Sequence, residues 1–498
     1  MTSFIGIDLG TTFSAVATID STGRPVIVHN SDGKNITPSC VTENEDGVLE
    51  VGEFAQSAWG LNPDKAAARF KRDMGTSAEI KLNGDSFSPT ELSAVVLKKL
   101  KQDAESEIGR VGEAVVTIPA NFSNEARDAT MAAAKSAGLN VKYIINEPTA
   151  AALYYAFKNN EDLHGIYAVY DLGGGTFDVS IIRVDGQDID VIASNGVARL
   201  GGDDFDLAFK KIVQKKYKEL TGESLDNEDF TTNDAEHEKR SLSKRKSVTR
   251  KINRKLIDVS RDEFEESISS LVTQAEMLCE ATLDEADISA SDVRAVLLAG
   301  GSTRIPLVKE SIKRVFSKEP VSSVNVDEVV ALGAALYAAY KGDQSNLSAA
   351  QQQSIQKIKV SESTGMCFGT LSMAHHEGRG EKTLQNSILI YKGDKLPCSV
   401  TESFYTLHDG QVAVDCTITE SVAPEKDITF VKKIWEGDLE LPAGRPKGQE
   451  VAITFSYDEN QMMTCSFVDV ATGKRTDVNI SKTSDSETSN DIDKFLVE

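Results

Sequence analysis

Two short stretches of this chain carry the residue types that bind polyphosphates. Ile5-Gly6-Ile7-Asp8-Leu9-Gly10-Thr11-Thr12-Phe13 is answered by Val169-Tyr170-Asp171-Leu172-Gly173-Gly174-Gly175-Thr176-Phe177-Asp178. Each reads as a buried strand, a glycine-rich turn and a return strand, followed by a second turn at Ser21-Thr22-Gly23 or Asp185-Gly186. Glycine lets backbone N–H groups approach phosphate oxygens with no Cβ in the way, and amide concavities of this kind hold anions. An Asp ends each hydrophobic strand, and two carboxylates converging on one cleft suit Mg2+, which keeps several waters and takes few direct protein ligands. Thr11, Thr12 and Thr176 add hydroxyls at the same turns. A duplicated αβ half, gripping a phosphate chain from two sides, is the economical reading.

Two other readings compete. A single Asp-x-Gly-Thr turn, taken alone, is a structural hairpin more often than a site. Paired Asp turns in a duplicated chain also suggest an aspartic protease, in which two carboxylates share a proton. Such proteases carry Thr or Ser between the Asp and the Gly, whereas Leu9 and Leu172 stand there.

The elements that must position these residues alternate in type over residues 1–342, the pattern of α/β layers. Ala114 to Ile118 is a buried strand ending at Pro119; Ser123 caps the next helix, with Glu125 in its first turn and Gly138 closing it. Asn140 to Asn146 is another strand, and Glu147-Pro148 opens a helix. Val293 to Leu298 runs into Ala299-Gly300-Gly301-Ser302-Thr303-Arg304, a third glycine turn before a helix after Pro306, again the mark of a nucleotide contact. Beyond Lys341 the character changes. Residues 343–359 are polar and Gln-rich, which predicts a linker. Residues 360–481 read as an all-β sandwich, with alternating runs at Gln411 to Ile418 and Val451 to Tyr457, and 482–498 as a flexible acidic tail with a short apolar end at Phe495-Leu496-Val497.

The 498 residues carry a formal charge of −23, which argues against a nucleic-acid partner. The local exception, Lys244 to Lys255, reads as a solvated hairpin or a docking patch for an acidic partner. Six scattered cysteines form no Cys-x-x-Cys pair, so zinc and a disulfide framework are not expected, and His375-His376 lacks further ligands at metal spacing. The start of the chain has no leader pattern and no run approaches the length of a membrane span, so a soluble, cytoplasmic protein without membrane contact is expected.

Seven ordered motifs, Ile5 to Thr12, Val115 to Phe122, Ile144 to Ala152, Asp171 to Ser180, Leu200 to Phe205, Gly300 to Pro306 and Ala331 to Ala335, resemble those of the 70-kDa heat-shock chaperones (DnaK type) over essentially the whole length. Phe70-Lys71-Arg72-x-Met74-Gly75, with Glu91-Leu92-Ser93 and a short region at 244–260, resembles the HscC-like branch of bacterial paralogues. The resemblance implies an actin-like two-lobed ATPase domain followed by a small β-sandwich, with MgATP or MgADP bound and potassium as a further ion. By motif, Gly10, Thr11, Thr12 and Phe13 bind phosphates in the first hairpin, and Gly173, Gly174, Gly175 and Thr176 in the second. Asp8 and Asp171 hold hydrated Mg2+; Lys71 stabilises the γ-phosphate and the attacking water, which Glu147, Asp178 and Thr176 order. This agrees with the chemistry of phosphoryl transfer, which is mainly positioning and charge neutralisation. Gly201, Gly202, Asp203, Glu236, Lys239, Arg240, Ser243, Gly300, Gly301, Ser302, Arg304 and Asp327 hold the rest of the nucleotide, and Pro119 and Arg127 couple nucleotide state to the second domain.

The resemblance also implies that the β-domain binds extended or unfolded polypeptide, with Phe404, Leu407, Val412 and Val414 as pocket candidates, although strand periodicity alone makes them core. J-domain co-chaperones and an exchange factor are the implied partners. Three departures stand out. Only 17 residues follow Ser481, too few for the family's helical lid; Lys357-Ile358-Lys359-Val360-Ser361-Glu362 replaces its hydrophobic linker; and Tyr143 occupies the place of an Arg that contacts J-domains. A nucleotide-dependent scaffold for one specific partner is therefore the rival to a chaperone, and a metabolite kinase on the same fold conflicts with the β-module.

Overall fold

A computed structural model describes residues 3–159, 163–186, 188–321, 324–356, 360, 363–375, 382–458, 462–480 and 497. The chain divides into two compact units. The first comprises Met1–Ala120, Ala126–Val360 and Ser489–Glu498, and the second Asn121–Glu125 and Ser361–Thr488.

The first unit contains the same sheet twice. In one half, strands Ser3–Asp8, Phe13–Ile19 and Pro25–Val28 form an antiparallel meander, and Ser3–Asp8 pairs in parallel with Val111–Ile118, which pairs in parallel with Val141–Asn146. In the other, Leu163–Leu172, Phe177–Gly186 and Asp188–Val197 form the meander, and Leu163–Leu172 pairs in parallel with Val293–Ala299. The parallel strands read as unbroken apolar runs because both faces are covered. Helices Glu147–Asn159 and Val329–Lys341 supply part of that cover and pack on each other through alanines and glycines. The fit is close: a Cβ on Gly333 would lie 1.8 Å from the Ala150 carbonyl oxygen, and one on Gly6 would lie 2.1 Å from the Ala335 nitrogen.

Start and stop signals sit where the residue types place them. Helix Asn124–Ser136 ends in a left-handed Gly138 (φ 69°), with Leu139 N donating to Ala134 O at 3.0 Å. The basic island is a hairpin, Ser247–Ile252 with Lys255–Ser260, whose alternate Val248, Ile252, Ile257 and Val259 are buried. Residues 343–359, expected as a linker, contain helix Ala349–Ile355, boxed by Ser348 and Gln351; Gln351 also donates to Ile19 O at 3.1 Å and Ile355 is buried. A Ser-x-x-Gln capping box and one buried Ile outweigh the polar composition there. Of the altered linker only Val360 is described, and it packs on the first unit's core.

The second unit is a sandwich of two four-stranded antiparallel sheets. One has the order Lys382–Ile390, Cys367–His375, Ala413–Ser421, Lys432–Glu440; the other Cys398–Tyr405, Glu450–Tyr457, Met463–Asp469, Arg475–Asn479. Strand Glu450–Tyr457 alternates strictly, with Val451, Ile453, Phe455 and Tyr457 buried against Phe368, Ile418 and Leu439. His376 and the tail from 481 to 496 lie outside the described residues.

Candidate functional site

The two glycine hairpins and the third glycine turn meet in the first unit. In the first hairpin Gly10 N donates to Ser14 Oγ (3.1 Å), Ser39 Oγ donates to Gly10 O (2.7 Å), and a Cβ on Gly10 would fall 2.0 Å from Phe13 O. The buried Thr12 hydroxyl has no partner among the described residues. In the second hairpin Gly173 N donates to Thr176 O (3.1 Å), while Gly173 O accepts from Gly202 N (3.0 Å) and Ser302 Oγ (2.8 Å). Gly300, left-handed at φ 78°, lies against this hairpin: a Cβ there would be 2.4 Å from Leu172 O. Gly201 is equally close, 2.6 Å from Gly174 O by the same measure. Glycine is thus required for strand-to-strand approach as much as for contact with a ligand.

Beneath the hairpins lies a charge cluster. Lys71, in the turn Phe70–Asp73, is 5% exposed, and its Nζ donates to Glu147 Oε1 at 2.6 Å. Asp8 accepts from Thr117 Oγ1 at 3.3 Å; Asp171 and Asp178 face each other across the second hairpin's register. Burial, then the neighbouring Glu147, pushes the Asp8 carboxyl up to about 7, against the pull of Lys71. Asp171 is raised well above the carboxylate range by burial and by Glu147, Asp178 and Asp8. Burial works against the Lys71 ammonium, yet Glu147 and Asp8 outweigh it and hold the group protonated. Four carboxylates ionised around one ammonium would carry excess negative charge; the raised Asp8 and Asp171 relieve it by holding protons, and an added cation would relieve it with both ionised. Asp8 and Asp171, hard oxygen donors lining this end of the cleft, fit a Mg2+ ion, which takes few direct protein ligands.

Two cavities run together above this cluster. One of about 90 Å³ is lined by Asp8, Gly10, Thr11, Thr12, Phe13, Lys71, Glu147, Asp171, Gly173, Gly174, Gly175, Thr176, Gly300, Gly301 and Asp327. The other, about 270 Å³, shares Thr12, Phe13, Gly174, Gly301 and Asp327 with it and continues to Gly202, Asp203, Glu236, Lys239, Arg240, Ser243, Ser302 and Arg304. The shared residues make one elongated cleft, with acidic and glycine-lined walls at one end. At the other end Arg240 pairs with Glu236 at 2.7 Å and its guanidinium lies 5.5 Å from the Phe13 ring centre; Arg304 pairs with Asp327 at 2.7 Å. Lys239 donates to Gly202 O (2.8 Å) and pairs with Asp206 (2.9 Å).

The structure therefore brings the phosphate, cation and nucleoside candidates into one cleft, except Gly201, which backs onto Gly174 without lining it, and Asp178, which lines a smaller neighbouring pocket. Asp203 lines it too, but its carboxylate is taken by Arg69 and Arg72, the former through Nη2 at 2.5 Å and the latter at 3.2 Å. Pro119 lines a small separate pocket behind the cluster, with Glu147, Asp171 and Asp178, and buried Arg127 donates from Nη2 to Ala120 O at 3.3 Å. In the second unit Phe404 and Val414 pack partly against the sandwich core, Leu407 is half-buried and Val412 is exposed. Sequence reasoning missed Asp206, Thr117, Arg69 and a role for Arg72. Asp206 follows the Gly201-Gly202 motif directly and Arg72 follows Lys71, so adjacency was the available signal for both.

Against this geometry, a family model described as Hsp70 protein matches residues 4–498 of the chain.

Proposed function

The chain belongs to the Hsp70 family, a chaperone of that type built as an actin-like α/β ATPase unit followed by a β-sandwich, and from that premise we propose that it hydrolyses MgATP in the cleft and transiently binds extended polypeptide through the sandwich. The observation that carries the ATPase reading is the Lys71 ammonium, buried at 2.6 Å from Glu147 beneath both glycine hairpins. Phosphoryl transfer needs a fixed cation where charge develops on the terminal phosphate, and this one is held by carboxylates rather than by solvent. Asp8 and Asp171 would hold Mg2+, which when bound would neutralise charge on the phosphate oxygens. Lys71 draws the γ-phosphate and attacking water together, and Thr176 orients that water from the hairpin. Glu147 and Asp178 accept hydrogen bonds from it, and one of these carboxylates takes its proton as the oxygen–phosphorus bond forms and the bond from the γ-phosphorus to the β,γ-bridging oxygen breaks, releasing ADP and phosphate.

Polypeptide binding, J-domain and exchange-factor partners, and residence in a reducing cytoplasm complete the proposal. The six cysteines are scattered along the chain with no Cys-x-x-Cys pair, and this pattern supports the last. Single-turnover hydrolysis of radiolabelled ATP tests the first half, and fluorescence anisotropy with a panel of unrelated unfolded peptides the second. Broad, weak binding supports a chaperone; one tight partner and no others would make it a scaffold.

A further inference from the structure

Three successive carbonyls of the second glycine hairpin are tied down from behind. Gly173 O is held by Gly202 N and Ser302 Oγ, and Gly174 O by Asp203 N at 2.7 Å; both ties come from the same half of the first unit. The third does not. Gly175 O accepts from Arg72 Nη2 at 2.8 Å, and Arg72 belongs to the opposite half, in the same short turn as Lys71. In a trans peptide the N–H points away from the preceding carbonyl. The three ties therefore turn the N–H groups of Gly174, Gly175 and Thr176 the other way, and these residues line the phosphate end of the cleft.

Arg72 is itself held in place. Asp203, at the start of helix Gly202–Thr221, accepts from Arg72 at 3.2 Å and from both Nε and Nη2 of Arg69. Arg69 adopts a left-handed backbone (φ 67°) and its guanidinium lies 4.8 Å from the Trp59 ring centre. A Cβ on Gly175 would lie 2.5 Å from Arg72 Nη2, so a side chain there would push the guanidinium off its present position. Two guanidiniums on one carboxylate leave a net positive charge beside the hairpin, and both side chains are mostly shielded.

We propose that Arg72, braced by Asp203 and Arg69, is a positioning residue for hydrolysis: by holding Gly175 O it aims the Thr176 N–H at the terminal phosphate, and it does so only when the two halves are closed. Lys71 and the Gly175–Thr176 peptide are then set by one turn, so closure delivers cation and hydrogen-bond donor together. The inference rests on the ATPase reading.

The test separates rate from affinity. Arg72→Met should lower the single-turnover hydrolysis constant by at least about tenfold while ATP and ADP dissociation constants change by less than about threefold. Arg69→Met and Asp203→Asn should lower the rate in the same direction by less. The double variant Arg72→Met/Asp203→Asn should be no slower than Arg72→Met alone, because residues acting through one contact are non-additive. Arg72→Lys should recover part of the rate, since one ammonium can reach Gly175 O. A rate within about twofold of the parent for Arg72→Met, or affinity lost in step with rate, would overturn the proposal while leaving the ATPase reading intact. Should Arg72→Met not fold, Arg69→Met with unchanged rate would overturn it equally. A parent chain that binds ATP and never hydrolyses it would overturn both.

Discussion

Replacing Lys71 by Met removes one buried charge and almost no volume, so its consequences follow from electrostatics. At 2.6 Å and an effective dielectric of about 20, the Lys71–Glu147 attraction has a scale of ~6 kcal/mol, offset by the desolvation of both groups. Breaking such a pair typically costs about 3–5 kcal/mol. The orphaned carboxylates can recover part of this by taking up protons, and that fixes the sign with pH. Asp8 already stands at about 7 in the fold against 3.8 unfolded, so its contribution to stability is present below about 4 and is lost as pH rises through 7. Lys71 lowers Asp8 more than the Thr117 hydrogen bond does, so without it the loss should be larger. Calorimetric melting of nucleotide-free Lys71→Met should therefore show a deficit against the parent that is greater at pH 8 than at pH 6. Single-turnover hydrolysis should fall by about 10²–10³, the usual effect of removing one transition-state donor, with ATP affinity within about tenfold. Adding Glu147→Gln should restore part of the melting temperature and none of the rate. A rate within about threefold of the parent, under ~1 kcal/mol, would remove Lys71 from catalysis. Recovery of hydrolysis in the double variant would reduce its role to balancing charge.

Asp8→Asn and Asp171→Asn should each weaken nucleotide binding in the presence of Mg2+ and not in its absence; calorimetric titration showing equal affinities throughout would make both carboxylates structural. Gly333→Ala should lower the melting temperature of the first unit by an overpacking cost of at least about 1–3 kcal/mol, because its Cβ would meet the Ala150 carbonyl at 1.8 Å; unchanged melting would show that the Glu147–Asn159 helix can yield. Burial raises Asp206 to about 7 despite Lys239, so the parent should lose stability between pH 4 and 7 through this group, and Asp206→Asn should flatten that slope in pH-dependent melting scans. ATP should loosen peptide binding by less than about tenfold, ~1.4 kcal/mol, because Ile358 and Val360 are the only large aliphatics in a linker core that also carries Lys359; peptide anisotropy with ADP and with ATP measures it, and a hundredfold change would show full coupling.

Much of the cleft was legible before any tertiary contact was known, because local geometry leaves its demand in the residue type. A strand that stops near Asp8 and reverses within a few residues needs glycine at Gly10, where a Cβ would meet Phe13 O, and the matching glycine run after Asp171 makes the duplication show in the sequence. The left-handed close at Gly138 and the Ser247–Ser260 hairpin are local in the same sense. The polar residues of 343–359 misled because composition reports solvation on average, while one buried Ile355 and one capping box decide the helix. What only tertiary structure decided are the contacts between residues far apart in the chain. That Arg69 and Arg72 reach Asp203 and Gly175, more than a hundred residues away, leaves no periodicity to read. Nor does the crowding of Asp8, Glu147, Asp171 and Asp178 around Lys71. The duplicated turns single out Asp8 and Asp171 and the family resemblance adds Lys71, Glu147 and Asp178, but the raised Asp8 and Asp171 carboxyls arise only when folding takes four like charges out of water into one place.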